Sequence, residues 1–469
     1  MPGTRPQTLM QTRRVGDEAR TGSGGGADAP EVLLLACDPR SNAVTISDHI
    51  RAIEELSRHR VWVVRRVHPF GGVLPRRLKL DRFDALILHY SLYLLDDVYL
   101  TQAARRRVAE FGGVKILLIQ DEYRQVNAMK QVIRELGIDV LFTCIPGAEM
   151  EKVYPSSELP GLVKVNTLTG YVPADLSKRK VRPLRERPID VGYRARKLPY
   201  WLGELGVEKW RIVPGFLAAV EGQGFVCDLS YQEADRIYGE RWIEFIASCK
   251  TMLGVESGAS VFDFTGEIQR NVDAYVAAHP NATFDEVRDL FFAREEGRIR
   301  LNQISPRCFE AAALRTAMVL FEGEYSGILK PWRHYVPLKK DFSNIGEVIA
   351  ALRDVDGLQK IAETAYREVA LDERYSYAPF VKQLDDALSR AYDAKHPKVR
   401  EGISKADDVT PTRWSRRYSR LTFYIASRPT LIQAVLGVLA TLWQSLPDHA
   451  QERLRDVARP VRKALERTL

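Results

Sequence analysis

Residues 31–37 read EVLLLAC, and a continuous apolar run of this length is typical of a strand buried on both faces of a parallel sheet. After it, residues 47–59 show the helical spacing of apolar side chains. The same alternation continues along the chain. Further strands are predicted at 61–67, 85–89, 115–120, 140–144 and 163–165, with helices at 100–111 and 125–136. Strands that alternate with helices of this length predict a doubly wound α/β domain.

A second α/β series begins at residues 189–193 (IDVGY). Further strands are predicted at 252–255 and 317–321, and helices at 210–223, 306–314, 344–352 and 378–392. Asn344 and Glu347 have the spacing of a capping box at the start of one of these helices. The predicted fold class is therefore α/β, with two Rossmann-like domains facing a cleft and a C-terminal helical basic tail.

These patterns also predict the domain boundaries. Residues 1–30, rich in Gly, Thr, Arg and Ser, are expected to be a disordered tail. The remaining segments are a first domain at 31–176, a charged linker at 177–188, a second domain at 189–371 with an insertion at 264–298, a crossover helix at 372–393 and a basic amphipathic tail at 394–469.

The positive charge of the chain is concentrated near its end. The 469 residues have a net charge of +8, and residues 391–469 hold 15 Lys and Arg against 8 Asp and Glu. The two domains are therefore near neutral, which argues against nucleic acid as a partner. The five cysteines are scattered and include no Cys-x-x-Cys pair, which argues against a zinc site or a disulfide framework.

Residues 411–469 predict contact with a membrane surface. Residues 430–443 (TLIQAVLGVLATLW) are apolar but too short to span a bilayer. Arginine and aromatic residues precede them, as in helices that lie in the membrane interface. The alternatives are a helix packed on the protein or on a second subunit, and a disordered segment. Because the N-terminus lacks a signal-type apolar core, we expect a cytoplasmic protein, at the inner membrane face if the tail binds lipid.

Three residues that follow strands of the first domain are candidates for acid–base chemistry. Ligands of open α/β sheets bind at the carboxyl ends of the strands. His89 ends the strand at 85–89, and Asp121 and Glu122 follow the strand at 115–120. Each of them can exchange a proton near neutral pH if the cleft shifts its pKa. The alternatives are a structural histidine and a carboxylate that caps the next helix.

Three cations, Arg194, Arg196 and Lys197, follow the first strand of the second domain. Arg binds phosphate oxygens in bidentate fashion and Lys adds a point charge, so this cluster suits a diphosphate at the mouth of a cleft. A solvated loop with the same composition is the alternative.

The residues after the strand at 252–255 are also candidates for ligand binding. Glu256 can accept hydrogen bonds from sugar hydroxyls, and the small residues Ser257 and Gly258 permit close approach of a ligand. A tight turn is an equally good interpretation.

The segment that starts at Ser305 is the most informative one. Pro306 and the following alanines predict the start of a helix, and the N-terminus of a helix attracts phosphate. Arg307 adds a cation there. Glu310, one turn further, can accept two hydrogen bonds from a ribose diol. The alternative is an ordinary exposed Glu on an amphipathic helix.

Residues 304–321 (ISPRCFEAAALRTAMVLF) resemble the donor-binding segment of GT-B glycosyltransferases, especially family 1/4-like enzymes and the CgeB-like group. The resemblance implies that Glu310 holds the nucleotide ribose and that Arg194, Arg196 and Lys197 bind the phosphates. It also implies that Glu256 reaches the sugar. The segment with Tyr325 and Ser326 resembles the loop before the last Rossmann helix. One departure is Asn302, where the family's pattern has an acidic residue.

This resemblance implies transfer of a sugar from a nucleotide-diphosphate sugar to a glycan or a lipid-linked acceptor. We expect neither a metal nor a cofactor, since cations and a helix N-terminus would stabilise the leaving diphosphate. Two other interpretations stay open because a fold does not fix a function. One is a non-catalytic module that binds sugar nucleotides or assembles a coat or envelope, and the other is a sugar-nucleotide epimerase.

Overall fold

The computed structural model describes residues 30–38, 44–65 and 72–396, together with residues 423 and 427. The predictions for residues 1–29 and for the basic tail, including the membrane contact of residues 411–469, lie outside this part of the chain apart from those two positions. Within the described ranges, no helix combines the length and the apolar character needed to cross a membrane.

The first sheet is parallel throughout and has the strand order β2-β1-β3-β4-β5-β6. Leu33 of β1 lies opposite Trp62 of β2 and Leu86 of β3, so β1 has neighbours on both sides. All five residues of β1 are buried, as its apolar sequence predicts. The strands are β1 (Glu31–Leu35), β2 (Arg60–Val64), β3 (Ala85–Leu88), β4 (Val114–Leu118), β5 (Val140–Thr143) and β6 (Val163–Asn166).

The helices of this first half cover the sheet and connect its strands. Apolar side chains of α3, such as Met129 and Ile133, pack in one cluster with Leu117 of β4. The α-helices here are α1 (Val44–Leu56), α2 (Gln102–Ala109), α3 (Val126–Leu136), α4 (Gly147–Val153) and the single turn α5 (Ala174–Ser177).

The second sheet is also parallel, with the order β11-β10-β9-β7-β8. Its strands are β7 (Ile189–Arg194), β8 (Cys227–Ser230), β9 (Cys249–Gly254), β10 (Ala317–Phe321) and β11 (Val336–Leu338). The associated helices are α6 (Glu204–Ala219), α7 (Glu240–Ser248), α8 (Glu267–Ala278), α9 (Phe284–Phe291), α10 (Pro306–Ala313), α11 (Ile345–Arg353) and α12 (Val355–Ala365). The sequence pattern does not predict β8, because CDLS is a half-buried edge strand without an apolar run.

The last described helix, α13 (Tyr377–Lys395), packs on the first domain although it follows the second domain in the chain. Its Phe380 and Leu384 belong to one buried cluster with Ile87 of β3. The Phe380 ring stacks on Tyr171, with 5.2 Å between the ring centroids. The chain therefore crosses back to the first domain. The predicted fold class, α/β with two Rossmann-like domains facing a cleft in the GT-B arrangement, is confirmed.

A bridging segment (residues 255–304) joins β9 to α10 and contains α8 and α9. It includes the charged stretch predicted as an insertion. Its Val261, Val272 and Phe284 form a buried cluster with Trp201 and Leu202 of the second domain. The segment therefore has an apolar core despite its charged sequence.

One local expectation needs correction. Asn344 precedes α11, but its side chain does not cap that helix. Instead its amide accepts from Lys339 N (2.9 Å) and donates to Pro337 O (2.9 Å), which fixes the loop after β11. In the predicted linker at 177–188, the Arg187 guanidinium is buried and donates to Cys249 O and Leu314 O, both at 3.0 Å, which ties this segment to the second domain. The exact domain boundaries stay predictions.

Candidate active site

A cavity of about 370 Å³ lies between the two domains, at the carboxyl ends of their strands. The first domain contributes Asp121 and Tyr123, which follow β4, and Thr45 at the start of α1. The second domain contributes most of the remaining wall. Its polar and aromatic lining residues are Tyr193, Arg194, Arg196, Lys209, Arg236, Tyr238, Trp242, Ser257, Ser305, Arg307 and Glu310.

The N-terminus of α10 opens into this cavity. Ser305 caps the helix, because its hydroxyl accepts from Arg307 N at 3.4 Å, and Pro306 occupies the first turn. The first N–H groups of a helix have no partners within it and carry partial positive charge. The start of α10 therefore lies at the cavity with the polarity that attracts an anion, and the binding of an anion there stays a prediction.

Five cationic residues line the cavity: Arg194, Arg196, Lys209, Arg236 and Arg307. Of these, Arg196 and Arg307 lie close enough to Lys209 to act on its charge. Arg307 Nη1 donates to the carbonyl oxygen of Arg194 at 2.6 Å, which holds the Arg307 guanidinium in place. Burial lowers the pKa of Lys209 to about 8, although the neighbouring Asp121 carboxylate acts in the opposite direction. The positive charges of Arg307 and Arg196 lower this pKa further. An anionic ligand beside Lys209 would favour the charged ammonium form and raise its pKa.

The Glu310 carboxyl lies on the wall of the cavity and is buried. Trp242 Nε1 donates to Glu310 Oε2 at 2.8 Å. Burial raises the pKa of Glu310 to about 7, and the Trp242 hydrogen bond and the Arg307 charge offset only part of this effect. Glu310 therefore lies in the cavity wall and is not the exposed helix residue of the alternative interpretation, while its contact with a ligand stays a prediction.

Lys209 and Trp242 line the cavity although the sequence pattern did not indicate either of them. Lys209 lies on α6 and immediately precedes the helix predicted at 210–223, so no local signal set it apart. Trp242 lies on α7, and its indole faces Glu310 from a helix that was not predicted. An aromatic residue on an amphipathic helix is usually a core residue. The position of these two side chains at the cavity therefore depends on packing that the sequence does not display.

Arg194 and Lys197 differ from the prediction. The Arg194 guanidinium donates to Asp228 Oδ1 (2.7 Å) and to the carbonyl of Asp228 (2.8 Å), so it mainly ties β7 to β8. Lys197 lies over the Trp210 ring, with 5.2 Å from Nζ to the centroid, and does not line the cavity. Of the predicted cation cluster, Arg196 is the member whose side chain remains available to the cleft.

Glu256 is engaged within the protein. Its Oε1 accepts from Tyr325 N and its Oε2 from Asn302 Nδ2, both at 2.7 Å. Its neighbour Ser257 lines the cavity, whereas Glu256 itself does not. Glu256 therefore orders the loop after β10, in contrast to the predicted contact with the sugar, and its partner is the Asn302 that departs from the family pattern.

The other residues predicted for donor binding, Gly258, Tyr325 and Ser326, shape the chain near the cavity. Gly258 has a φ of 109°, and a Cβ there would lie 1.6 Å from Leu301 O, so only glycine fits. Ser326 Oγ accepts from Ile304 N at 3.1 Å and supports the chain just before α10. Gly258, Tyr325 and Ser326 are not among the residues that line the cavity.

His89 is buried in the first domain and does not face the cavity. Its Nε2 lies 3.0 Å from His49 Nδ1, and its Nδ1 lies 2.9 Å from Ser91 Oγ. Burial, together with the neighbouring His49, holds the pKa of His89 well below its usual value. His89 is therefore a neutral structural group and not the base that the sequence suggested.

Glu122 is also buried away from this cavity. Its carboxylate accepts from Thr143 Oγ1 (2.5 Å), Cys144 N (2.8 Å) and Tyr154 OH (2.9 Å). Burial raises its pKa to about 7 in spite of these three donors. These three donors lie on β5, just after it and at the end of α4, so Glu122 ties the loop after β4 to both elements. The prediction of Glu122 as a base is therefore corrected.

Asp121 is the one of the three predicted bases that lines the cavity. It is exposed, and its Oδ1 accepts from Tyr123 OH at 2.9 Å. The alternative of helix capping does not apply, because Gln125 precedes α3 and no side chain caps that helix. A carboxylate from the first domain thus faces the cations of the second domain across one cleft.

The described residues contain no group of three or more His, Cys, Asp and Glu side chains arranged to hold a metal ion. No protein-family model and no curated protein matches the chain.

Solved structures with a similar chain path include glycosyltransferases. An alpha-glucosyltransferase in complex with UDP-glucose and DNA containing an abasic site is 10% identical, with a TM-score of 0.46 over 77% of this chain and 100% of that chain. Anabaena Alr3699/HepE in complex with UDP-glucose is 11% identical, with a TM-score of 0.40 and the same coverage. TarM is 10% identical, with a TM-score of 0.35 over 66% of this chain and 55% of its own. At these scores the likeness carries no conclusion about the reaction.

Proposed function

We propose that this protein is a glycosyltransferase that moves a sugar from a nucleotide-diphosphate sugar to a hydroxyl acceptor. One observation carries the proposal. The buried Glu310 carboxyl, the N-terminus of α10 and the cations Arg196, Lys209 and Arg307 face a single cavity between two Rossmann-like domains. Those groups complement a ribose diol next to a diphosphate.

The chemistry of the lining suggests how a donor would be held. The diphosphate would lie against the start of α10 and the three cations, which provide both hydrogen-bond donors and positive charge. The ribose hydroxyls would donate to Glu310. The base would lie near Trp242, whose indole donates to Glu310, and near Tyr238, which lines the same cavity.

In the proposed reaction, the bond between the anomeric carbon and the diphosphate oxygen breaks, and a bond from that carbon to the acceptor oxygen forms. The acceptor hydroxyl loses its proton to Asp121, the carboxylate on the opposite wall. The nucleoside diphosphate leaves with additional negative charge. Arg196, Lys209, Arg307 and the α10 dipole would stabilise that charge as it develops. In this proposal the reaction uses no metal and no cofactor.

Binding and turnover test the proposal together. Wild-type protein is titrated calorimetrically with UDP, GDP, ADP and dTDP, and release of the nucleoside diphosphate is then assayed with the matching donor sugars. Glu310→Ala should weaken binding of the preferred nucleotide at least tenfold. Glu122→Gln, a change at a buried carboxyl outside the cavity, should leave it within threefold. If no nucleotide binds to the wild type, the proposal fails.

Asp121→Asn separates an enzyme from a non-catalytic binding module. The enzyme should keep its affinity for the nucleotide and lose turnover by 100-fold or more. Turnover by the variant at the wild-type rate would contradict the role of Asp121. A wild-type protein that binds the donor without turnover, with any acceptor, would favour the module. Product formation from the donor without an acceptor would favour the epimerase.

The acceptor class stays a prediction from the sequence. We propose a glycan or a lipid-linked acceptor, because the basic residues 411–469 suit a membrane surface. Flotation of the full chain with anionic and zwitterionic vesicles tests this, and removal of residues 411–469 should abolish flotation with the anionic vesicles. Equal flotation of both chains would contradict the membrane contact.

A further inference from the structure

The bridging segment lies across the two domains next to the cavity. Its Phe262 and Leu301 belong to a buried cluster of the first domain, whereas its Ala259 and Val261 pack with Trp201 of the second. One stretch of chain thus contributes to a core on each side of the cleft.

On the first domain, this segment pairs with the acid loop (residues 119–125), which carries Asp121. Asp263 N donates to Tyr123 O at 2.8 Å, and Val126 N donates to Asp263 O at 3.2 Å. Asn127 N donates to Phe264 O at 3.0 Å. Three backbone hydrogen bonds therefore hold the loop and the start of α3 against a segment of the other half of the chain.

The acid loop needs such support because two of its residues are in the left-handed region. Asp121 has a φ of 54° and Gln125 a φ of 47°. Such conformations of non-glycine residues cost on the order of 1–3 kcal/mol each and persist where the surroundings fix them. The paired residues lie between and beside these two positions, so the pairing fixes the direction in which Asp121 enters the cleft.

On the second domain, the bridging segment caps α6, the helix that carries Lys209. The residue before this helix is Gly203, which has no side chain to cap it. The Glu296 carboxylate accepts from Glu204 N at 3.2 Å, and Ser260 Oγ accepts from Leu205 N at 3.2 Å. The same segment therefore sets the position of Asp121 and of the helix with Lys209.

Asp263 links these contacts to α8. Its side chain is 1% exposed, and its carboxylate accepts from Gly266 N (2.7 Å) and Gln269 N (2.9 Å) at the start of α8. Gln269 in turn accepts from Arg124 Nε at 3.2 Å. The Asp263 backbone thus pairs with the acid loop while its side chain is anchored on a helix.

We infer that Asp263 is a positioning residue for Asp121, and that the bridging segment sets the separation between that carboxylate and the cations on the opposite wall. Loss of the Asp263 carboxylate frees the turn before α8 and lets the acid loop move. Binding of the nucleotide involves the second domain and should be retained. This inference rests on the proposed function of Asp121.

The test compares Asp263→Ala with Thr283→Ala, which removes the cap of α9 in the same segment, where the Thr283 hydroxyl accepts from Glu286 N. For Asp263→Ala we expect kcat to fall 10- to 100-fold, with the donor KM within threefold of wild type. Exchange of the Val126 and Asn127 amides with deuterium should become at least tenfold faster. Thr283→Ala should lower Tm but leave kcat and these amides unchanged. Asp263→Asn, which keeps one acceptor oxygen, should restore part of kcat and serves if the alanine variant does not fold.

A double-mutant cycle separates positioning from general damage. Because Asp263 acts through Asp121, its replacement should have little effect on kcat in the Asp121→Asn background. The same fall in kcat in both backgrounds would overturn the inference, as would unchanged amide exchange. If the wild type turns over no nucleotide sugar, the proposed function fails, and the amide exchange still decides whether Asp263 holds the loop.

Discussion

Among single residues, the Glu310 carboxyl is notable because it is an ionisable group that lines the cleft and is buried. Burial raises its pKa to about 7, so the ionised form is penalised in the native state. Trp242 donates one hydrogen bond and leaves the other carboxyl oxygen without a protein donor among the described residues. Such a perturbed acid in a cleft is typical of a functional site. Glu122, with a similar pKa but three protein donors, shows that the shift alone does not identify one.

Replacing Glu310 by Gln should stabilise the ligand-free protein at pH 8 more than at pH 5. The native carboxyl has the higher pKa, so the native state binds more protons, and the free energy of unfolding falls as pH rises from about 4.5 to about 7. Gln does not titrate and lacks this fall, which is on the order of 3 kcal/mol for one group. Urea unfolding at both pH values measures the difference. Glu122 titrates in both proteins, so its contribution cancels in the difference between their free energies of unfolding. An equal stabilisation by Gln at pH 5 and at pH 8 would refute the burial of an ionisable Glu310.

At the scale of elements, α10 combines a sharp start with a binding surface. The hydroxyl of Ser305 accepts from a backbone N–H, Pro306 begins the helix, and Glu310 follows one turn later. The order of these residues is local in the sequence, which is why the helix was predicted at nearly its observed bounds. The same holds for β10, whose five buried residues were predicted at the observed positions.

Ser305→Ala should reduce the free energy of unfolding by about 1 kcal/mol, because it removes the cap of α10. Ser305→Gly should cost only a few tenths of a kcal/mol, since glycine is tolerated at this position. Chemical denaturation of the three proteins measures both values. Equal losses for Ala and Gly would mean that the hydroxyl does not cap the helix.

At the scale of the whole molecule, α13 makes the stability of the first domain depend on a helix that follows the second domain. Phe380 is 2% exposed and packs against side chains of the first sheet. The two domains are thus joined by the crossover helix as well as by the bridging segment. We expect them to unfold together.

Phe380→Ala should lower the free energy of unfolding by about 3–5 kcal/mol, because it leaves a cavity under the first sheet. Lys382→Ala, at an exposed position of the same helix that pairs with Asp386, should change it by less than about 0.5 kcal/mol. Calorimetry with and without the nucleotide follows both domains. The variant could instead show two separate unfolding transitions, with the nucleotide-dependent transition at the temperature of the wild type. That result would show that α13 does not couple the two domains.

The sequence by itself determined the two α/β halves, the apolar strands, the start of α10 and the candidate Glu310. These features are local: a run of apolar residues must be buried on both faces, and a cap, a proline and an alanine run specify a helix start regardless of distant residues. Tertiary structure decided which charged residues reach the cleft. His89 and Glu122 follow strands just as Asp121 does, yet packing buries the first two. The Arg194 guanidinium donates to Asp228. Folding also brings Lys209 and Trp242 to the cavity. The physical reason is that the chemistry of a charged side chain depends on its burial and its partners, and those come from residues far away in the chain.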